Sequence, residues 1–340
     1  MSDVLYDLHA THTRQNPVFV LGVARSGTSV TCRLLRRYLK VAFGTESQFI
    51  VRYLHALPSY GDLENDANVR RLIDDISRER FFARSRRNWG FVFDKERAFR
   101  SLERRTYPAV LDAVFGQLAA HIGMVRWGDK TPGYNSSLTQ LRQLFPQAQF
   151  IHVVRDGRDV ALSISQTPFG AKNACEVAIH WAGALRSIRA FAQDLPPDQF
   201  FEVRYEDLTE RTCDVMGCLA DFLGIDDRDR HLRAYVRQHI ANDVKSGNSG
   251  KWRTALSRRE IERFEGVAGR ELSQFGYPLA YSGNARPIST PEQAYWRARG
   301  KAARLLMTGY WADNWYKLSL RARAATSPIF APGGTLERRA

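Results

Sequence analysis

A short apolar run that passes through a glycine-bounded loop directly into a helical pattern constrains this chain more than any other feature. Residues 17–22 read PVFVLG, enough for one buried strand and too short for a helix. Residues 28–39 then carry Leu34, Leu35 and Leu39 at helical spacing. Gly22 and Gly27 bound the loop between them, so the backbone can wrap an anion with no Cβ in the way. The free amides and dipole of the helix N-terminus favour negative charge there. Thr28 and Ser29 add hydroxyls, and Arg25 adds a fixed positive charge. The plainer account is an ordinary strand–turn–helix whose glycines serve only the turn.

The spacing of Gly22 and Gly27 matches a nucleotide-binding P-loop, but Thr28 stands where such a loop has its lysine. That lysine reaches the β- and γ-phosphates of a nucleoside triphosphate, so its absence argues against ATP or GTP hydrolysis. A P-loop kinase would share the fold and would require ATP and Mg²⁺.

Further along, residues 150–154 (FIHVV) read as a buried strand and 200–203 (FFEV) as a third strand, and a helical pattern over 135–145 ends at Pro146. Strands alternating with helices imply an α/β fold: a P-loop-like parallel sheet flanked by helices. Residues 48–122 read as a helical insertion beside the sheet, mostly helical and heavily charged from 60 onward. A helix ends near Gly276 and Pro278 follows. From Asn284 the chain carries ten Lys/Arg against three Asp/Glu, with Tyr295, Trp296, Tyr310, Trp311, Trp315 and Tyr316. The organisation expected is one domain over 1–283 and a basic, aromatic helical extension over 284–340.

The net charge of +14 and pI of about 9.9 suit an anionic partner, or simply a surface of solvated arginines. A nucleic-acid partner is not expected, because the arginines cluster at strand ends and not on one recognition helix. Cys32, Cys175, Cys213 and Cys218 have neither zinc-site nor disulfide-framework spacing, which suits a reducing compartment. Residues 1–15 have no apolar core, so they do not read as a signal peptide, and no run approaches the ~18 apolar residues of a membrane span. A cytoplasmic location is expected. The aromatic and basic tail suits either an interfacial helix at a membrane or a helix packed on the domain.

Two more elements carry charge. Arg155 and Arg158 directly follow the strand at 150–154, and ligands of open parallel sheets bind at strand C-termini. Ser163, eight residues after Arg155, falls inside the following helix. Arg155 and Ser163 can grip one phosphate, or the arginines can pair with Asp156 and Asp159 on the surface. Residues 245–253 (KSGNSGKWR) form a glycine-bearing cationic loop with Trp252 as an apolar anchor, suited to a lid over a nucleotide or to a plain exposed connection. His152, within a strand, reads as a core histidine.

Together these elements resemble the PAPS-dependent sulfotransferase family, over roughly residues 17–280. Residues 24–29 (ARSGTS) match its early loop, with Ala24 in place of proline. Residues 150–163 (FIHVVRDGRDVALS) match its strand–Arg–helix–Ser element. The late loop departs from the family pattern at Lys245, Ser246 and Arg253. The resemblance is sharpest to the branch containing tyrosylprotein and carbohydrate sulfotransferases, through Glu46 in FGTES, Lys130 in WGDKTP and Tyr205 in YEDL.

The resemblance implies a donor, 3′-phosphoadenosine 5′-phosphosulfate (PAPS), the product PAP, a hydroxyl-bearing acceptor and no metal. It implies Glu46 as general base, against a plainer role as a carboxylate at a helix N-terminus. Lys130 would neutralise the leaving group, against plain pairing with Asp129, and Arg25 would stabilise the sulfuryl charge. Arg25, Ser26, Gly27, Thr28 and Ser29 would hold the 5′-phosphate, and Arg155 and Ser163 the 3′-phosphate. Tyr205 would lie near the adenine, and Ser249, Lys251, Trp252 and Arg253 would close the late loop. The expected acceptor is a carbohydrate or glycolipid hydroxyl, with a small metabolite or peptide tyrosine as alternatives.

Overall fold

The computed structural model describes residues 16–167, 173–225, 231–239, 243–244 and 247–305. The expectations for residues 1–15, for Lys245 and Ser246 and for the tail beyond 305 lie outside the described residues.

Five parallel strands form the sheet: β1 (Val18–Leu21), β2 (Val41–Phe43), β3 (Arg126–Asp129), β4 (Gln149–Val154) and β5 (Phe200–Arg204). Their order is β2-β3-β1-β4-β5. Val18 pairs with Gly128 on one side and Gln149 on the other. The central strands β1 and β4 are buried along their whole length, which explains their unbroken apolar runs. The chain leaves β1 toward β2 and leaves β4 toward β5. The crevice of the sheet therefore opens between adjacent strands β1 and β4, at their C-terminal ends.

Helix α1 (Thr28–Leu39) ends where Lys40 takes a left-handed conformation, and β2 starts on the next residue. The insertion follows as α2 (Ile50–Ala56), α3 (Asp66–Ser77), α4 (Arg80–Trp89), α5 (Lys95–Arg100) and α6 (Tyr107–His121). Asn65, Asp94 and Thr106 cap α3, α5 and α6 through their side chains. After β3 a 3₁₀ turn (Pro132–Ser136) leads to α7 (Leu138–Leu144). Then come α8 (Gly157–Ser165), α9 (Ala174–Ala192), α10 (Tyr205–Glu210), α11 (Thr212–Leu223), α12 (His231–His239), α13 (Trp252–Ala255), α14 (Arg258–Gln274) and α15 (Thr290–Leu305).

The sheet separates two apolar layers. Val18, Val20 and Ile151 face α1 and α11, whereas Phe19, Leu21 and Phe150 face the insertion and α7. On the second side Phe19 stacks on Phe150 at 5.6 Å between centroids, and Phe115 of α6 stacks on Trp127 of β3 at 4.5 Å. This aromatic seam fastens the insertion to the sheet. A third layer packs α8, α9 and α14 around Trp181 and Phe264.

The start of the C-terminal extension is docked on this domain. Trp296 of α15 packs with Cys175, Ile179 and Ile288, and the carbonyl of Arg286 lies 2.2 Å from where a Cβ at Gly266 would stand. Among the described residues, no helix is long and apolar enough to cross a membrane. All four cysteines are free.

Candidate active site

The loop between β1 and α1 is held open by its neighbours. Gly22 has φ 148°, and a Cβ there would stand 2.7 Å from the carbonyl oxygen of Val153 on β4. The Asn135 side chain clamps the same residue, donating from Nδ2 to the Gly22 carbonyl at 2.9 Å and accepting from its amide at 3.4 Å. The Ser26 amide closes the turn onto the Val23 carbonyl at 3.1 Å. Arg25 takes a left-handed φ of 72°, which turns its side chain outward. Gly27, at φ 93°, has the Tyr205 ring against it: a Cβ would lie 2.2 Å from a ring carbon. No side chain caps α1 and no acidic residue sits in its first turn. The helix N-terminus therefore presents its positive end to the loop without competition. Ser26 and Thr28 are buried, while Arg25 and Ser29 are exposed.

Arg155 leaves β4 beside this loop. Its guanidinium donates to the Arg25 carbonyl at 3.0 Å and to the Asn248 carbonyl at 2.6 Å, and it lies 4.6 Å from the Tyr205 ring centroid. Its Nε is buried and has no hydrogen-bond partner among the described residues. A buried donor left unpaired is costly, so this atom is poised for an acceptor that the described residues do not supply. Arg25 reaches across and donates from Nε to Ser163 Oγ on α8 at 3.0 Å. The loop, the β4 exit and the start of α8 thus meet around one anion-seeking cluster.

The late loop is fastened to α8. Asp159 accepts from the Gly250 amide at 2.6 Å and the Trp252 amide at 3.0 Å. Burial pushes this carboxyl up, and those two amides offset part of the rise. Trp252 is buried, as its anchoring role requires. Lys251 donates to Asn248 Oδ1 at 3.0 Å, and Asn248 donates to the Tyr205 hydroxyl at 3.2 Å. Arg253 lies over the Trp252 ring at 4.5 Å from its centroid, and Ser249 is half-buried beside it.

Arg158 does not join the cluster. Its guanidinium is buried, donating to Asp156 and to Glu265 (2.6 Å), under the Trp252 ring at 3.6 Å. The ion pair foreseen on the surface is an interior one, and its partners are Asp156 and Glu265, not Asp159.

Glu46 and Lys130 come together from the exits of β2 and β3. Lys130 Nζ lies 2.5 Å from Glu46 Oε1, both side chains remaining partly open to solvent. Lys130 is therefore paired, but not with Asp129. Glu46 is not part of a helix, because α2 starts only at Ile50. Asp129 has a separate task. It accepts from the Ser47 amide (3.2 Å), Ser47 Oγ (2.9 Å) and Thr131 Oγ1 (2.9 Å). Ser47 Oγ also bonds the Tyr134 hydroxyl at 2.9 Å, which accepts from the Ile50 amide. Burial pushes Asp129 up to about 6, against the pull of Ser47 and Thr131. This network ties the residue after Glu46 to the residue before Lys130, so it sets their separation. Nothing in the sequence pattern marked Ser47, Asp129 or Tyr134 as members of the site.

A family profile described as "Sulfotransferase family" matches residues 17–229, more than half of the chain. The chain belongs to the sulfotransferase family. An uncharacterized protein of Aquifex aeolicus (strain VF5) is 26% identical over 263 residues, covering 74% of this chain. The nodulation protein NoeE of Sinorhizobium fredii (strain NBRC 101917 / NGR234) is 24% identical over 294 residues, covering 76% of this chain. This sulfotransferase-family chain spans 31% of the first relative's length and 65% of the second's. The sulfotransferase domain from the curacin biosynthetic pathway superposes with a TM-score of 0.49 at 20% identity, covering 78% of this chain and 99% of that one. In this family member the matched span contains Arg25, Glu46, Lys130, Arg155 and Ser163, while the late loop lies beyond it. Among the described residues, no group of three or more His, Cys, Asp or Glu side chains is placed to hold a metal ion.

Proposed function

We propose that this protein transfers a sulfuryl group from PAPS to an acceptor hydroxyl, that of a carbohydrate or glycolipid. The observation that carries this reading is the meeting of two anion-seeking surfaces, Gly22–Ser29 and Arg155–Ser163, with the Glu46–Lys130 pair at the neighbouring strand exits. A 3′,5′-bisphosphate needs two such surfaces, and an NTP-hydrolysing loop would need a lysine where Thr28 stands. The uncapped α1 N-terminus and an Arg155 Nε with no partner among the described residues fit an anionic nucleotide.

Ser26, Gly27, Thr28 and Ser29 hold the 5′-phosphate, with Arg25 beside the transferring group. Arg155 and Ser163 hold the 3′-phosphate. Tyr205, pressed on Gly27, forms the wall toward the base, and the loop from Ser249 to Arg253 covers the nucleotide. In the transfer, the acceptor oxygen forms a bond to sulfur while the bond from sulfur to the 5′-phosphate oxygen breaks, releasing PAP. Glu46 takes the acceptor's proton, and Lys130 offsets charge on the departing phosphate. Their mutual ion pair means that each must give up the other to act, which favours a base released only when the donor has drawn Lys130 away.

Calorimetric titration with PAP in the absence of magnesium, with ATP alongside, tests the donor. Micromolar PAP binding that weakens in Arg155→Ala and is not matched by ATP is expected. Tighter ATP binding, or none by PAP, would overturn the reading in favour of a kinase-like one. The membrane contact proposed for the tail rests only on its aromatic and basic composition.

A further inference from the structure

Next to Lys130 the 3₁₀ turn Pro132–Ser136 and helix α9 enclose a groove of about 550 Å³, within the size range of small-ligand sites. It is lined by Asn135, Ser136, Glu176, His180 and Ser187 together with Ile179, Gly183 and Ala184. The groove is rigidly joined to the phosphate loop, because Asn135 holds both the amide and the carbonyl of Gly22. Ser187 Oγ donates to the Asn135 carbonyl at 3.4 Å, tying α9 to the same turn.

Gly183 points to an occupant. It lies mid-way along α9, where glycine weakens a helix relative to alanine. Two other helical glycines have a packing reason: a Cβ at Gly157 would meet Phe264 at 2.4 Å, and one at Gly266 would meet the Arg286 carbonyl at 2.2 Å, whereas one at Gly116 of α6 would meet nothing within 4 Å. A Cβ at Gly183 would meet nothing within 4 Å. Packing among the described residues therefore gives no reason for the missing side chain, and the space it leaves belongs to the groove.

The lining also defines the chemistry. In a chain of net charge +14, no Lys or Arg among the described residues lines this groove, and its carboxylate is Glu176. These lining side chains offer an anionic group no positive partner. Hydroxyl, amide, imidazole and carboxylate groups beside the small residues Gly183 and Ala184 suit a neutral ring bearing several hydroxyls, its polar edges bonding those groups and a carbon face meeting the small residues.

We propose that this groove is the acceptor subsite and that it takes a neutral, polyhydroxylated sugar ring, presenting an adjacent hydroxyl to Glu46. The proposal rests on the sulfotransferase reading. Glu176 and His180 bond ring hydroxyls, and Gly183 leaves room for the ring face.

The test measures transfer from radiolabelled PAPS to lactose, maltose and cellobiose, with a heparin disaccharide and p-nitrophenol as anionic and aromatic comparisons. Wild type, Gly183→Ala, Gly183→Leu and Glu176→Gln are compared, and PAP binding is measured by calorimetry for each. Labelling of at least one neutral disaccharide is expected. Gly183→Leu should lower kcat/KM for it by at least about ten-fold, with PAP affinity unchanged within about two-fold. Gly183→Ala should raise KM with little change in kcat, and its melting temperature should not fall, which separates blocking from unfolding. Equal kcat/KM in Gly183→Leu and wild type would overturn the site. Labelling only of the heparin disaccharide or p-nitrophenol, or of nothing while PAP binds, would overturn the sugar class. Failure of wild type to bind PAP would instead refute the underlying sulfotransferase reading.

Discussion

Replacing Asp129 by Asn separates charge from shape at the point that spaces Glu46 from Lys130. Burial raises the Asp129 carboxyl from its ordinary 3.8 to about 6. Between those values the folded protein binds a proton that the unfolded chain does not. Stability therefore falls as pH rises from about 4 to about 6, by about 3 kcal/mol from this group, and this contribution is level above. Asn cannot titrate, so relative to wild type the variant should gain about 3 kcal/mol across the same rise.

A second effect opposes it. In wild type Ser47 Oγ donates to Asp129, and the Tyr134 hydroxyl donates to Ser47 while accepting from the Ile50 amide. An Asn amide nitrogen facing Ser47 reverses that chain and leaves the buried Tyr134 proton without an acceptor, at a cost of about 1–3 kcal/mol at every pH. The variant should thus be less stable than wild type by about 1–3 kcal/mol at pH 4, and within about 2 kcal/mol of it at pH 7.5. Urea denaturation of both proteins at the two pH values measures this. A stability difference independent of pH would refute the argument, since it would mean that Asp129 is not held above its ordinary value. At pH 7.5 the variant should bind PAP normally yet lose at least about ten-fold in kcat, because a misplaced base costs rate more than donor affinity.

Other substitutions probe the rest of the site. Glu46→Ala should reduce kcat by about 10²-fold or more, and near-wild-type turnover in a PAPS assay would remove Glu46 as the base. Gly27→Ala places a Cβ 2.2 Å from the Tyr205 ring at φ 93°, so calorimetry should show PAP affinity lower by at least about ten-fold. Asp159→Ala strips the Gly250 and Trp252 amides of their acceptor, which should cost about 1–3 kcal/mol in urea denaturation and also weaken PAP. Unchanged PAP affinity in that variant would mean that the late loop is not part of the nucleotide site.

The two central strands were legible because burial on both faces demands continuous apolar residues, as in the VFVL of β1 and the FIHVV within β4. Strands β2 and β3 were not. β2 is three residues long and starts one residue after the left-handed Lys40 that closes α1. β3 reads RWGD, polar at both ends, because its buried Arg126 is satisfied by the Asn16 and Leu223 carbonyls and by Gln149 Oε1. Those partners come from distant segments that no local pattern reveals. Helix α2 starts only at Ile50 for a related reason: hydrogen bonds of Ser47 to Asp129 and Tyr134 hold the segment before it out of the helix.

The same distinction divides the site itself. Binding a phosphate is a task for consecutive backbone amides and nearby charges, so it leaves a contiguous signature such as residues 22–29 or 155–163. Shaping an acceptor groove is a task for side chains spaced along one helix face and for a turn from another strand. Glu176, His180, Gly183 and Ser187 share a face of α9 only because they recur at three- and four-residue intervals, a pattern any amphipathic helix shows. Gly183 alone breaks that ordinary reading, and it does so only once the emptiness above it can be seen. A helical glycine that has no packing reason and lines a groove is thus the informative residue in the acceptor half, much as Thr28 in place of lysine is in the donor half. Both argue from a side chain that the plain structural role would have supplied and the chain omits.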